Sequence, residues 1–199
     1  TNNPAIGDER NFVRIRKVGG NDKYTDNVVA EPGAEYEVEV FFHNNAAANL
    51  NDKTGRSCAQ NLRLRMQQIP ENIHKGENVM IKGTISATNT DPKEVWDTAY
   101  IKAEQAVSLR YVRGSARIHT QGALNNKLID DEALFGKNRG TRLGYDRWGL
   151  LPGCNEYSGN VTFRIKVDKT GFDMHKTVSK ELANNYQNSI EAEPGETLD

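Results

Sequence analysis

The chain has 199 residues, 36% of them hydrophobic and 27% charged, and its 26 basic and 27 acidic side chains give a formal net charge of −1. This length fits one large domain or two small ones, and the balanced charge lacks the basic excess typical of nucleic-acid binding. No apolar run reaches the roughly 18 residues of a transmembrane helix, so we expect no membrane span.

Alternating apolar and polar residues predict strands throughout the first half of the chain, because successive side chains of a strand point to opposite faces. Arg14 and Arg16 alternate with Val13 and Ile15, which indicates a strand with one solvated face. Glu31-Pro32-Gly33 predicts a tight turn, since Pro fixes φ and Gly accepts the positive φ that follows. The predicted strands cover 12–18, 28–29, 36–43, 60–66 and 79–87, and an Asn-rich loop covers 44–59.

The second half of the chain mixes weaker alternation with many turn residues. Residues 95–107 fit a strand, because Trp96 and Tyr100 favour strands, although the alanines of 99–107 leave a helix as the alternative. An acidic segment at 128–135 predicts one helical turn, and the Gly-rich segment 136–159 must turn tightly several times. Further strands are predicted at 109–112, 116–119 and 161–167.

About seven to ten short strands without a strong helix predict an all-β protein, an antiparallel sandwich or barrel. We expect one main domain over residues 1–170. Residues 186–199 repeat the pattern of 24–37, with Tyr, Ala, Glu, Pro and Gly in register. Such an echo is typical of tandem repeats, so residues 171–199 are predicted to begin a following repeat.

The tail has two alternative interpretations. In a fragment it would be a linker. In a mature protein, which Thr1 in place of an initiator Met would fit, it would pair with a sheet edge of a neighbouring subunit. Head-to-tail strand donation propagates as a filament unless it closes into a ring. The predicted subunit contacts are Ser189, Ile190, Ala192 and Leu198.

Several motifs resemble the conserved-repeat surface proteins of bacteria. They are Asn3-Pro-Ala-Ile-Gly-Asp-Glu-Arg-Asn-Phe-Val-Arg-Ile, Phe41-Phe-His-Asn-Asn, Val95-Trp-Asp, Leu109-Arg-Tyr-Val-Arg-Gly-Ser-Ala, Leu143-Gly-Tyr-Asp and Leu151-Pro-Gly-Cys-Asn-Glu-Tyr-Ser-Gly. The resemblance covers about residues 3–168. It implies Ig-like antiparallel β-sandwich modules with long loops, belonging to large secreted or wall-attached chains, and it implies no particular chemistry.

The two cysteines, Cys58 and Cys154, lie too far apart in sequence for a Cys-x-x-Cys zinc motif. An even count in a secreted chain favours one long-range disulfide formed in an oxidising compartment. We therefore predict a Cys58–Cys154 disulfide. Two buried free thiols are the alternative.

No motif in the sequence indicates catalysis. A Gly-x-Ser-x-Gly motif is missing, and the four histidines are scattered without metal-ligand spacing. Acidic clusters at Asp91, Glu94 and Asp97 and at 130–132 are interpreted as solvated loop acids rather than as a hydrolytic carboxylate pair. We therefore expect no enzyme activity, no catalytic residue and no cofactor.

One oxygen-rich turn is a candidate calcium site. Asn21, Asp22 and Asp26 lie close together in sequence, and calcium prefers carboxylate and carbonyl oxygens from flexible loops. The spacing does not match an EF-hand loop. Ordinary turn chemistry explains the same residues, and we predict no metal.

The Gly-rich segment carries a candidate glycan-binding loop, formed by Tyr145, Trp148, Asn155 and Tyr157. Exposed aromatic rings and amides would suit a sugar ligand. The alternative is a hydrophobic plug, in which Trp148 is buried and pins the loop. We expect this packed arrangement, with Trp148 against one of the nearby leucines: Leu143, Leu150 or Leu151.

These observations together predict a structural module of an extracellular fibre, stalk or cell-surface layer, which polymerises by strand donation. Its expected partners are copies of itself or neighbouring repeats. The alternative function is an adhesin module that binds a carbohydrate or another surface.

Overall fold

The computed structural model describes residues 2–3, 7–8, 10–51, 57–137 and 139–170. The predicted following repeat, with Ser189, Ile190, Ala192 and Leu198, lies outside these residues. The helical elements are α1 (Asp131–Phe135) and two 3-10 turns, Ala48–Leu50 and Asn155–Tyr157. The strands are β1 (Asn2–Asn3), β2 (Gly7–Asp8), β3 (Val13–Lys17), β4 (Asn27–Val29), β5 (Glu35–Phe42), β6 (Arg63–Met66), β7 (Asn72–Ile73), β8 (Asn78–Ser86), β9 (Glu94–Lys102), β10 (Val107–Tyr111), β11 (Arg117–His119), β12 (Lys127–Leu128), β13 (Thr141–Arg142) and β14 (Gly159–Lys169).

These strands form an all-β sandwich of two sheets, one of the two architectures that the alternation predicts. In the larger sheet, β14 pairs with β5 along one side and with β10 and β11 along the other. The edges of this sheet are β3 beside β5, and β7 and β12 beside β10 and β11. The smaller sheet has the order β13-β6-β8-β9-β4. All pairs are antiparallel except β4 with β9, and β1 and β2 form a separate short ladder.

The chain closes one side of the sandwich by passing from the larger sheet to the smaller one. Ile15 of β3 forms a bridge with Thr25, and β4 then joins the smaller sheet. Asp97 of β9 fastens the same side, because its Oδ2 accepts hydrogen bonds from the backbone N–H groups of Phe12 (2.6 Å) and Val13 (2.7 Å). Asp97 is therefore a link between the sheets and not the solvated loop acid that its sequence context predicts.

The core lies between the sheets and follows directly from the period-two pattern. Val161, Phe163, Ile165 and Val167 of β14 are all fully buried, whereas the intervening side chains face outward. At Gly83 of β8 the sheets approach closely. An added Cβ there would lie 2.9 Å from a methyl carbon of Val13 and 3.1 Å from the sulfur of Met66, so only glycine fits without displacement of its neighbours.

The ambiguous segment and the acidic segment both have clear structures. Residues 94–102 form the strand β9. The acidic segment forms the single turn α1, in which Asp130 caps the helix by accepting a hydrogen bond from the N–H of Ala133 at 2.9 Å. Asp131 accepts a hydrogen bond from the hydroxyl of Tyr111. These two acids therefore have structural partners and are not simply solvated.

The two ends of the sandwich differ in what they contain. We call the end where β3 and β14 begin the upper end. Val13 pairs there with Val40, and Gly159 pairs with Phe42. β3 and β14 are both antiparallel to β5, so they run in the same direction and both lead away from the upper end. β14 has 11 residues, which corresponds to roughly 35 Å, about the length of the sandwich.

Candidate functional site

The long loops of the upper end are held together by asparagine side chains. The Nδ2 of Asn44 donates to the carbonyl oxygens of Ser57 (2.7 Å) and Leu151 (2.8 Å). The carbonyl of Asn44 accepts from the N–H of Cys154 at 3.1 Å. One residue at the end of β5 therefore connects the Asn-rich loop with the Gly-rich loop.

A second asparagine repeats this connection. Asn51 both donates to the carbonyl oxygen of Gly153 (2.7 Å) and accepts from its N–H (2.8 Å). An added Cβ at Gly153 would lie 2.3 Å from the carbonyl oxygen of Ala46, so this close approach requires glycine. The Asn-rich loop therefore supports its neighbours, a role that its composition alone did not indicate.

The Gly-rich loop turns around Asp146 and is anchored by leucines. Oδ1 of Asp146 accepts hydrogen bonds from the N–H groups of Trp148 (2.9 Å) and Leu150 (3.4 Å). Gly149 follows with a φ of +75°, a conformation that favours glycine. Leu143 and Leu151, on either side of this turn, are completely or almost completely buried.

Trp148 is on the surface of this loop, so the prediction that it is packed is wrong. Its side chain is 59% exposed, and the guanidinium of Arg147 lies 4.5 Å from its ring centroid. The physical reason is that Leu143 and Leu151 fill the interior positions beneath the turn. The indole at the tip of the turn is left in solvent, the arrangement expected of a binding loop.

The two predicted tyrosines of the loop lie together. The rings of Tyr145 and Tyr157 pack edge to face, with centroids 5.1 Å apart and an interplanar angle of 81°. A hydrogen bond with Glu156 raises the pKa of Tyr157. Asn155 belongs to the same 3-10 turn as Tyr157. The structure thus brings the two tyrosine rings together, whereas Trp148 projects from the neighbouring turn.

A second aromatic surface lies near the upper end and was not predicted as a site. A groove of about 500 Å³ is lined mainly by apolar side chains: Phe12, Phe41, Leu62, Ile85, Val95 and Trp96. Trp96 is 61% exposed, and the ammonium of Lys82 lies 4.4 Å from its ring centroid. The alternation of β9 places Trp96 on the outer face of the smaller sheet. The alternating pattern in the sequence was therefore sufficient to predict this outward position.

The outer face of the larger sheet is covered by paired charges. Arg14 and Glu39 form an ion pair of 2.9 Å, and Arg16 and Glu37 form one of 2.6 Å. The hydroxyl of Tyr24 donates to Glu37 at 2.7 Å, and the guanidinium of Arg16 lies over the Tyr24 ring. This confirms the solvated, charged strand face predicted for β3.

These contacts change the titration of two groups. Burial alone would raise the pKa of Glu37, but hydrogen bonds from Tyr24 and Arg16 outweigh it and hold the pKa below its ordinary value. Burial and the hydrogen bond to Glu37 raise the pKa of Tyr24 well above its ordinary range. Arg14 Nε and Asn160 Oδ1 are the two buried side-chain atoms without a hydrogen-bond partner among the described residues.

The predicted disulfide is not formed. Cys58 and Cys154 are both half-buried, and they are not within disulfide distance of each other. Their backbones are nevertheless fixed by asparagines, since Cys58 accepts a hydrogen bond from Asn89 at 2.8 Å and Cys154 donates to Asn44. The two loops are therefore joined by amide hydrogen bonds rather than by a covalent bridge.

Of the three candidate calcium residues, Asp26 has another role in the fold. The Oδ1 of Asp26 accepts a hydrogen bond from the side chain of Asn11 at 2.7 Å, and its carbonyl accepts from the N–H of Tyr100. Asp22 lies against Gly20 in a turn, and Asn21 is exposed beside it. Within the described ranges, histidines, cysteines and acids do not form a group of three or more that could hold a metal ion.

No protein-family model, no curated protein and no solved structure matches this chain. The described part of the chain contains no helix that is long and apolar enough to cross a membrane.

Proposed function

We propose that this sandwich is a structural module of an extracellular fibre, stalk or cell-surface layer, in which modules follow one another in a line. The observation that carries the proposal is the direction of β3 and β14. Both strands lead away from the upper end, so the chain comes in at one end and goes out at the other. Head-to-tail modules with this geometry extend the array by one sandwich length each. The extracellular location rests on the resemblance to conserved-repeat surface proteins.

The same geometry gives the module resistance to a pulling force along the array. Tension applied to the start of β3 and the end of β14 would slide both strands along β5 in opposite directions. The hydrogen bonds of antiparallel ladders lie perpendicular to the strands, so such sliding loads all bonds of both ladders together. The β5–β14 ladder spans eight residue pairs and the β3–β5 ladder spans five.

Single-molecule pulling of a tandem protein tests this proposal. Force applied through residues 12 and 169 should give a higher unfolding force than force applied through residues 12 and 45. The second pair lies wholly at the upper end, so it would unzip β3 from β5 one bond at a time. Equal unfolding forces for the two pulling directions would contradict this mechanical role.

We also propose self-association through the tail, with Ser189, Ile190, Ala192 and Leu198 in a donated strand. The sequence echo between 186–199 and 24–37 supports this. Deletion of residues 172–199 should abolish filaments in negative-stain images while the circular dichroism spectrum stays β-rich. Filaments that persist after the deletion would contradict strand donation.

A second candidate function is an adhesin module that binds a glycan at the Trp148 loop. The exposure of Trp148 favours it, because a large indole held in solvent by its own turn is typical of a binding surface rather than a core. The test is titration with polysaccharides while the fluorescence of Trp148 is followed in a Trp96→Phe background. A spectrum that responds to no polysaccharide would contradict the adhesin function.

A further inference from the structure

Five arginines gather where β6 pairs with β13 at the edge of the smaller sheet, and we call them the arginine strip. Its members are Arg63, Arg65, Arg139, Arg142 and Arg147. Arg63 and Arg142 stand directly opposite each other across the β6–β13 ladder. Arg63 also donates to the carbonyl oxygen of Gly140 at 2.9 Å, and Arg142 donates to that of Arg147 at 3.4 Å. The strip therefore leads continuously from β6 to the Trp148 loop.

The charges of this strip are not neutralised by ion pairs within the part of the chain that the structure describes. Among the described residues, the ion pairs of the chain involve none of the five arginines. Like charges directly opposite each other on a sheet are destabilising. Burial, together with the positive charges of Arg142 and Arg139, lowers the pKa of Arg63. A position that is unfavourable for stability in this way is typical of a binding surface.

The surroundings of the strip include both a cleft and an aromatic ring. A cleft of about 790 Å³ lies between β6 and α1. Its charged lining comprises Arg63, Arg65, Arg139, Lys137, Asp130 and Glu132. At the other end of the strip, Arg147 lies over the exposed ring of Trp148. The protein thus presents guanidinium groups, two carboxylates and an indole at neighbouring positions.

We propose that the arginine strip and Trp148 bind an acidic polysaccharide, whose sugar rings carry carboxylate or sulfate groups. Guanidinium groups bind such oxyanions with two parallel hydrogen bonds, and an indole packs against the apolar C–H face of a sugar ring. The inference rests on the adhesin function proposed for the Trp148 loop and specifies the charge of its ligand.

The acids beside the strip favour a polysaccharide over a nucleic acid. Double-stranded DNA carries one negative charge per about 1.7 Å of its axis, so its phosphates would come close to Glu132 and Asp130. A polysaccharide separates its oxyanions by whole sugar rings, and its hydroxyl groups can donate hydrogen bonds to these carboxylates.

The test uses three polymers with one backbone: dextran sulfate, carboxymethyl dextran and unmodified dextran. Calorimetric titration of the full chain with each polymer compares sulfate, carboxylate and neutral sugar directly. The strip variant replaces three exposed arginines with glutamine: R65Q, R139Q and R142Q. The matched control removes an equal number of positive charges from the larger sheet and its adjoining loop: R110Q, R113Q and R117Q.

Both charged dextrans should bind, with an affinity that falls as salt is added. The strip variant should lose roughly tenfold or more in affinity, whereas the control should stay within about twofold of the parent protein. Trp148→Ala should weaken binding of both charged polymers. The strip variant should melt at the same temperature as the parent or at a higher one, because R142Q removes the like-charge repulsion between Arg63 and Arg142. A loss of binding in this variant would therefore not reflect unfolding.

Each of the other outcomes contradicts one specific part of the proposal. Equal binding of unmodified dextran keeps the adhesin function but contradicts the acidic ligand, whereas failure of all three polymers contradicts both. Equal losses in the strip variant and the control indicate non-specific attraction and contradict the site. A single-stranded oligonucleotide of equal charge that binds more tightly than dextran sulfate contradicts the choice of a polysaccharide.

Discussion

The outer faces of the two sheets use arginine in opposite ways. On the larger sheet, Arg14 and Arg16 of β3 stand beside Glu39 and Glu37 of β5, and each pair forms an ion pair. On the smaller sheet, Arg63 of β6 stands beside another arginine of β13. The comparison shows that a chain with nearly balanced total charge can neutralise one face internally and leave the other face positive.

The pairing on the larger sheet has an energetic consequence that the strip lacks. Glu39 is only 8% exposed. Its carboxylate forms an ion pair with the guanidinium of Arg14 at 2.9 Å and accepts a hydrogen bond from the side-chain amide of Asn160 at 3.1 Å. Removal of such a partner leaves a partly buried charge without compensation. Removal of one arginine from the strip leaves no carboxylate unpaired. Mutations on the two faces should therefore change stability by different amounts and in different directions.

The largest effect is expected at Glu39. Glu39→Ala should reduce the free energy of unfolding by about 1–3 kcal/mol, because Arg14 and Asn160 lose their hydrogen-bond partner. Denaturant unfolding followed by tryptophan fluorescence measures the change. Glu94→Ala, an exposed acid of β9, is the control and should have little effect. A Glu39 variant as stable as this control would show that the ion pairs of the larger sheet contribute nothing.

A smaller effect is expected at Tyr24, whose hydroxyl supports Glu37. Tyr24→Phe should lower the free energy of unfolding by about 0.5–1.5 kcal/mol through loss of one hydrogen bond to a carboxylate. The same change should raise the pKa of Glu37 toward its ordinary value, which a carboxyl NMR titration would detect. An unchanged pKa would contradict the role assigned to Tyr24.

The pH dependence of stability follows from the lowered pKa of Glu37. A carboxylate whose pKa is depressed in the folded state stabilises the fold above its unfolded pKa, and this contribution disappears as the pH falls through the folded value. The contribution of Glu37 should therefore be complete above its ordinary value of 4.5 and be lost below it. The melting temperature of the parent protein should fall more between neutral and acid pH than the melting temperature of the Glu37→Gln variant. Identical pH profiles would contradict this assignment.

Much of this fold is predictable from local patterns, because β5 and β14 alternate strictly and each apolar residue at 161, 163, 165 and 167 is buried. The Pro-Gly turn before β5 is likewise a local signal: Gly33 has a φ of +88°. Even the outward direction of Arg63 and Arg65 follows from alternation with Leu62 and Leu64. These features depend on residues that are neighbours in sequence.

The site depends instead on residues that are distant in sequence. The pairing of Arg63 with Arg142 is set by the β6–β13 register, which no local pattern specifies. The orientation of Trp148 was mispredicted because the turn around Asp146 buries Leu143 and Leu151 and leaves the indole outside. The prediction of a Cys58–Cys154 disulfide depends on the cysteine count and an expected oxidising compartment, whereas Asn44 and Asn51 hold the same loops together by hydrogen bonds.

One pair of variants tests the contrast between the faces most directly, because the same substitution is made on each. Arg16→Glu places a third acid beside Glu37 and Glu39, whereas Arg142→Glu places an acid opposite Arg63. Cross-strand charge pairs contribute about 0.2–1 kcal/mol, so Arg16→Glu should lower the melting temperature and Arg142→Glu should raise it. Melting temperatures that fall equally in both variants would contradict the claim that one face is neutralised and the other is not.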